Sequence, residues 1–416
     1  MPSFFAISRK PLWKNAGLCL LGIAFSLILC AAAVRADDWP QWRGPQRDGI
    51  SAETAWTSAW PAQGPKVLWR AHFGQGCSSF AVVGNRVFTM GNEKDVASVF
   101  CLDARTGEPV WKYSFPSTLD PKMFEGGQCS TPTVDGDFVY ALGRQGQFFC
   151  LNKATGAVVW SKDFPRDFEA KVAGWGYSGS PLVLGGMVLV DVGGKGASAV
   201  AFDKTTGAVI WQAGDDPLAY SSPYAYLQEG KHRVAFFNGF GLVVRDAADG
   251  KEALRYPWKT DWGVNAATPI VADGKLLLSS GYNHGAALLP LDAPGPKPVW
   301  ENKSLRNKMN SCVLWRGCLY GFDENTLTCL AFATGEVKWR QQGFGTGSLI
   351  LAGGKLLIQA ESGVVAVAEA APEAYKELAR TEALPKKTWV APVLANGKLF
   401  CRNNNGNAVV FDLSGQ

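Results

Sequence analysis

Between positions 101 and 111 the chain reads CLDARTGEPVW, and at 150–160 it reads CLNKATGAVVW. Looser copies follow: AFDKTTGAVIW at 201–211, VRDAADGKEAL at 244–254, PLDAPGPKPVW at 290–300 and CLAFATGEVKW at 329–339. A second signature precedes the first, as GGQCSTPTVDGDFVY from 126, WGYSGSPLVLGGMVLV from 175, GVNAATPIVADGKLLL from 263 and TWVAPVLANGKLF from 388, with weaker forms near 74, 219, 308 and 345. Together they mark eight units spaced about 40 to 50 residues apart. Self-similarity of that period, with four short β-type runs per unit, predicts an all-β propeller of eight four-stranded antiparallel blades.

One unit shows the expected strands. CSTPTV is the innermost, DFVYALG the second, FFCLNK the third and AVVWSKD the outermost. Pro132 suits only the start or edge of a strand, since it cannot donate to the ladder. In the turn between strands three and four, the Asp103 carboxylate and the Thr106 hydroxyl can accept backbone N–H groups, while Gly107 supplies a positive φ. Asp203, Thr206 and Gly207 repeat this, Gly156 and Gly335 hold the same turn position, Asn152 replaces the acid, and Ala331 lacks an acceptor. The closing Trp111, Trp160, Trp211, Trp300 and Trp339, with Leu254 once, read as large rigid plugs between neighbouring blades. The last unit, 389–413, supplies only three strands, and PKVLWRAHF at 65–73 is an outer strand with no unit before it. Pairing the two ends closes the ring and removes exposed edges.

The first 36 residues stand apart. Arg9, Lys10 and Lys14 precede an apolar run from 16 to 34, and a small-residue exit ends at Ala36, which is the pattern of a secretory signal. Cleavage after Ala36 is expected, an uncleaved anchor or lipidation at Cys30 being the alternatives. The expected organisation is a signal at 1–36, an N-terminal lead-in at 37–64 and one propeller at 65–416. The 47 Gly, 23 Pro and 19% charged residues fit a folded, turn-rich chain. Without the signal, 37 basic face 36 acidic side chains, and no basic cluster points to nucleic acid. Eight cysteines remain in a chain too long to need stapling; Cys101, Cys150 and Cys329 share one repeat position with Ala201, so they read as small buried residues.

The pattern Ala-x-Asp-x-x-Thr-Gly-x-x-x-Trp, with small-Ser/Thr-Pro strands before it, resembles the tryptophan-docking repeat of the pyrroloquinoline-quinone-type (PQQ-like) β-propellers over the whole chain from about Trp39. The opening DWPQWRGPQRDGIS at 38–51 is similar to exported members of that family. The resemblance implies that the small residue two before the Asp receives the neighbouring blade's Trp. It also implies one of two functions: a cofactor-free scaffold binding other envelope proteins or peptides, or a dehydrogenase of alcohols or sugars holding PQQ and calcium in the central funnel.

The scaffold is the expected reading: an exported, periplasmic or envelope-associated monomer with no cofactor, whose membrane contact is confined to the N-terminal segment. The adjacent cysteine pair that the resemblance associates with quinone enzymes does not occur, nor does Cys-x-x-Cys-His. Three histidines, His72, His232 and His284, fall in different phases of the repeat, against a multi-histidine metal site. GYSGS at 176 is not a nucleophile elbow, GGKGAS at 193 is not a phosphate loop, and RNNNGN at 402 reads as a hairpin turn. Departures from the repeat mark the candidate funnel residues Trp175, Tyr177, Trp262, Asn265, Tyr282, His284, Arg306, Asn310 and Trp389, which combine aromatic walls with placed polar groups.

Overall fold

The computed structural model describes residues 37–120, 126–292, 295–385 and 387–415. The signal segment, its cleavage point and Cys30 lie outside them. Seven sheets have four strands and the eighth has five, each run in up-and-down order. The first six blades span 81–116, 133–163, 182–213, 224–257, 270–302 and 313–341. The seventh, 348–382, gains a parallel strand β1 (Ile50–Ser51) on its inner edge. The last consists of 393–412 with β2 (Val67–His72) as its outer strand, paired antiparallel so that Trp69 faces Val410 and His72 faces Asn407. Both chain ends therefore close the ring.

Inner strands are shorter than the sequence suggests. In the second blade the ladder runs only over Thr133–Asp135, because the preceding Ser/Thr residues bond sideways to the next blade. The Ser79 amide donates to Thr131 Oγ1 (3.0 Å), Thr131 to Ser180 Oγ (2.9 Å), Ser180 to Ser222 Oγ (2.9 Å) and Thr268 to Ser311 Oγ (2.8 Å). These bonds satisfy amides that the narrowing axis leaves without strand partners.

The outer ends interlock through the repeat. The indole N–H of Trp69, Trp111, Trp160, Trp211, Trp300 and Trp339 donates to a carbonyl of the next blade, at Ala104, Lys153, Lys204, Ala247, Phe332 and Ala371 respectively, over 2.8–3.2 Å. Two interfaces lack the Trp and find other donors. In the fourth blade, where Leu254 stands, Gln228 donates to Leu291 O (2.6 Å). In the seventh, where Ala379 stands opposite Val367, the backbone of Thr57 donates to Leu413 O (2.9 Å) and Trp56 and Trp60 fill the gap.

Two details correct the sequence reading. The neighbouring indole lies against the turn glycine, not the small residue: Cys101 pairs with its own blade's Trp111, as Cys150 does with Trp160. In the fifth blade Trp300 pairs with Leu288, so the turn is two residues longer than its relatives and Pro290, not Asp292, occupies the acid's position. Elsewhere the turns hold Asp103 Oδ1 against the amides of Arg105 and Thr106, and Asp203 Oδ1 against those of Thr205 and Thr206 together with both hydroxyls.

Candidate functional site

The lead-in segment makes the ring's axis a one-ended funnel. Trp39 bridges to Val82, and Pro40 O accepts from the Val134 amide. The buried Arg47 donates to Ser180 O (3.0 Å) and Pro181 O (2.9 Å), and the buried Arg43 reaches Cys312 O (2.7 Å). Trp42 donates to Thr268 Oγ1 (3.0 Å), and Ser51 Oγ to Leu394 O. Residues 39–51 thus cross the axis and touch seven blades. Both guanidiniums bond carbonyls rather than carboxylates, and burial pulls Arg47 down to about 9. A cation so placed holds several carbonyls at once, because its fork of donors is rigid.

Above this plug lies an open cavity of about 970 Å³ with Trp42 in its lining. Trp175, Tyr220, Tyr282 and Trp389 form aromatic walls, joined by Arg144, Lys308, Asn310, Cys77 and Cys129. Trp175 meets Tyr220 edge-on at 5.6 Å, and the Lys308 ammonium sits 4.9 Å from the Tyr282 ring centre. Arg144 approaches Asp120 at 3.9 Å. Asn310 is tied down by donating to Trp389 O (2.9 Å). Among the described residues no carboxylate and no imidazole lines the cavity.

Four of the nine residues singled out by sequence meet here: Trp175, Tyr282, Asn310 and Trp389. The other five do not line the cavity. Tyr177 is buried against Phe164, and its hydroxyl donates to Val192 O (2.6 Å). Asn265 is fully buried, donating to Asn238 O and Trp258 O. His284 packs edge-on against Trp258 at 4.4 Å, with its pKa lowered by burial. Arg306 is spent on Asp323 (2.6 and 3.0 Å). Trp262, two residues before the wall residue Val264, is 78% exposed with φ +65°.

The sequence reading missed Trp42, Arg144, Tyr220, Lys308 and the two cysteines. Lys308 lies between Arg306 and Asn310, both marked by their departure from the repeat, and Cys77 and Cys129 each stand two residues before an inner-ring Ser or Thr. Aligning the repeats by that position finds the pair.

The calcium–quinone pair fits this cavity poorly. Calcium takes six to eight oxygen ligands, carboxylates prominent among them. The described lining offers the hydroxyls of Ser178 and Ser222 and the amide of Asn310, beside two cations that repel a divalent ion. No group of three or more His, Cys, Asp or Glu able to hold a metal occurs among the described residues.

Comparison with known proteins agrees with the ring. A europium-containing methanol dehydrogenase superposes with a TM-score of 0.65 at 13% identity, over 90% of this chain and 89% of that one. The quinohemoprotein alcohol dehydrogenase of Comamonas testosteroni gives 0.64 at 14%, over 93% and 82%. BamB of Moraxella catarrhalis gives 0.43 at 18%, over 82% and 85%. For the two dehydrogenases, at such identities, the likeness is one of fold. No curated protein matches the sequence. A family model described as outer membrane protein assembly factor BamB matches residues 51–129 and 122–341. With most of its length under that model, the chain belongs to this family of PQQ-like repeat β-propellers.

Proposed function

We propose that this protein is an exported, non-catalytic binding scaffold of the cell envelope, and that its funnel holds a segment of a partner protein offering acidic and aromatic side chains. The observation that carries this reading is the chemistry of the lining: aromatic walls and two cations, Arg144 and Lys308, without a carboxylate or imidazole among the described residues. Such walls stack side chains and neutralise carboxylates. Trp262 adds an anchor close to the wall residues; exposed tryptophans are the side chains that most often dominate binding energy at interfaces. The family description, outer membrane protein assembly, supports a protein as the partner.

The test is co-purification from an envelope extract with the unmutated protein, Trp262→Ala and Lys308→Glu, alongside titration with PQQ and calcium. A partner retained by the unmutated protein and lost by both variants, at unchanged melting, is the expected result. Saturable quinone binding with dye reduction by alcohols or sugars would overturn the reading.

A further inference from the structure

We propose that Cys77 and Cys129 form a reversible dithiol–disulfide site in the funnel wall that exchanges with low-molecular-weight disulfides. The two residues belong to adjacent blades and are 52 positions apart, yet the ring places them side by side. On one side of the pair, Gly76 bridges Gln128 in parallel register, and the amides of Cys77 and Ser78 both donate to Gln128 O (2.8 and 3.0 Å). On the other side, the Ser79 amide donates to Thr131 Oγ1 (3.0 Å). Cys77 and Cys129 are thus neighbours across a parallel pairing, where backbones lie roughly 4.7–4.9 Å apart. A disulfide needs Cα atoms about 4.4–6.8 Å apart. Both residues line the same open cavity, so both sulfurs are within reach of a small reagent, and they are not joined to each other.

The surroundings favour a thiolate. Arg144 lines the cavity with them. Arg402, fully buried, donates to Ser78 O (3.0 Å), Gly74 O (3.0 Å), Met90 O and Thr89 Oγ1, acceptors that carry no formal charge. Hydrogen bonding from Cys77 first, then Arg144 and Ser178, outweigh burial and bring Cys129 down to about 7. Among the described residues, Asp120 lies 3.9 Å from Arg144. Four other cysteines differ: burial raises Cys101, Cys150, Cys312 and Cys329 to about 12.

In the forward exchange the Cys129 thiolate attacks one sulfur of the external disulfide and expels the other as a thiolate, leaving a mixed disulfide on Cys129. Cys77 then loses its proton to solvent and attacks Cys129 Sγ, expelling the second thiolate. The protons of Cys77 and Cys129 end on the two released thiols, so one external disulfide is reduced for each Cys77–Cys129 bond formed. Excess external thiol reverses both steps.

The full-length protein is equilibrated in oxidised and reduced glutathione, acid-quenched, alkylated and peptide-mapped. The expected product is a Cys77–Cys129 cross-linked peptide whose yield follows the glutathione ratio in both directions. In Cys77→Ser the glutathione adduct on Cys129 persists, and in the reduced unmutated protein iodoacetamide at pH 7 labels Cys129 about tenfold faster than a thiol of ordinary pKa. Failure of the cross-link to form in the unmutated protein at any ratio, or labelling of Cys129 no faster than that of Cys401, overturns the proposal. Neither result bears on the partner-binding test, since Trp262 and Lys308 take no part in the exchange.

Discussion

The indole of Trp160 lies against Gly207 of the next blade, where a Cβ would come within 2.7 Å of the ring. Gly207 also holds φ +72°, a conformation that side chains rarely adopt. Trp160→Ala is expected to cost about 3–5 kcal/mol, as for other buried tryptophans. Gly207→Ala is expected to cost about 2–4 kcal/mol from strain and displacement of the ring together. In the double variant the obstructing ring is gone, so its loss should fall short of the sum by about 0.5–3 kcal/mol. Denaturant melts of all four proteins measure this; strict additivity would show that the contact is incidental.

Acid should loosen the third blade's turn first where its anchor is charged. Hydrogen bonds from Thr205 first, then Thr206, hold Asp203 down to about 2. Its folded pKa lies below the unfolded value, so its contribution is complete above about pH 4 and disappears as pH falls toward 2. Asn152 makes the same turn in the second blade with a neutral amide, accepting from Ala154 and Thr155. Asp203→Asn should therefore melt below the unmutated protein at pH 7, with a gap that shrinks by about half near pH 3 and closes toward pH 2. A constant gap across that range would refute the assignment.

Most of the ring was legible in the sequence because propeller blades repeat their contacts, and a repeated contact leaves a repeated letter. Trp111, Asp103 and Gly107 recur for that reason. What stayed hidden depends on single, unrepeated solutions. Gln228 and the Thr57 amide replace indole donors without resembling them. The plug residues Arg43 and Arg47 meet partners 133 to 269 positions away. In the cavity, departures from the repeat pointed to Trp175, Tyr282, Asn310 and Trp389, but the same kind of departure also marked Asn265 and Tyr177, whose polar groups satisfy the interior. One sequence distinguishes a repeated residue from an odd one; the direction in which an odd side chain points is set by the tertiary packing.

Ring closure rests on β2. Its Trp69 is buried, pairs with Val410 and reaches Ala104 O of the first blade (3.1 Å). Removing residues 37–73 strips the last blade of its outer strand, the plug, and Trp56 and Trp60 at the seventh interface. The truncated chain should show no cooperative melt, whereas a chain starting at Asp37 should melt like the full protein. A sharp transition from the shorter chain would contradict closure by the two ends.

Arg47 is the plug's fastening. Its guanidinium holds Ser180 O and Pro181 O, and Gln41 Oε1 as well (3.0 Å), so three acceptors depend on one side chain. Arg47→Ala leaves buried carbonyls without donors, at about 1–3 kcal/mol for each one left unsatisfied. Arg47→Lys keeps the charge but not the fork, and a single ammonium cannot meet the three acceptors in the same directions. Both variants should therefore melt earlier and be cut by trypsin within 40–50 well before the blades are attacked, with the lysine variant little better than the alanine. Local opening of this kind exposes backbone that the native ring protects. Equal protease resistance in all three proteins would mean that Trp39, Trp42 and Arg43 hold the segment without Arg47.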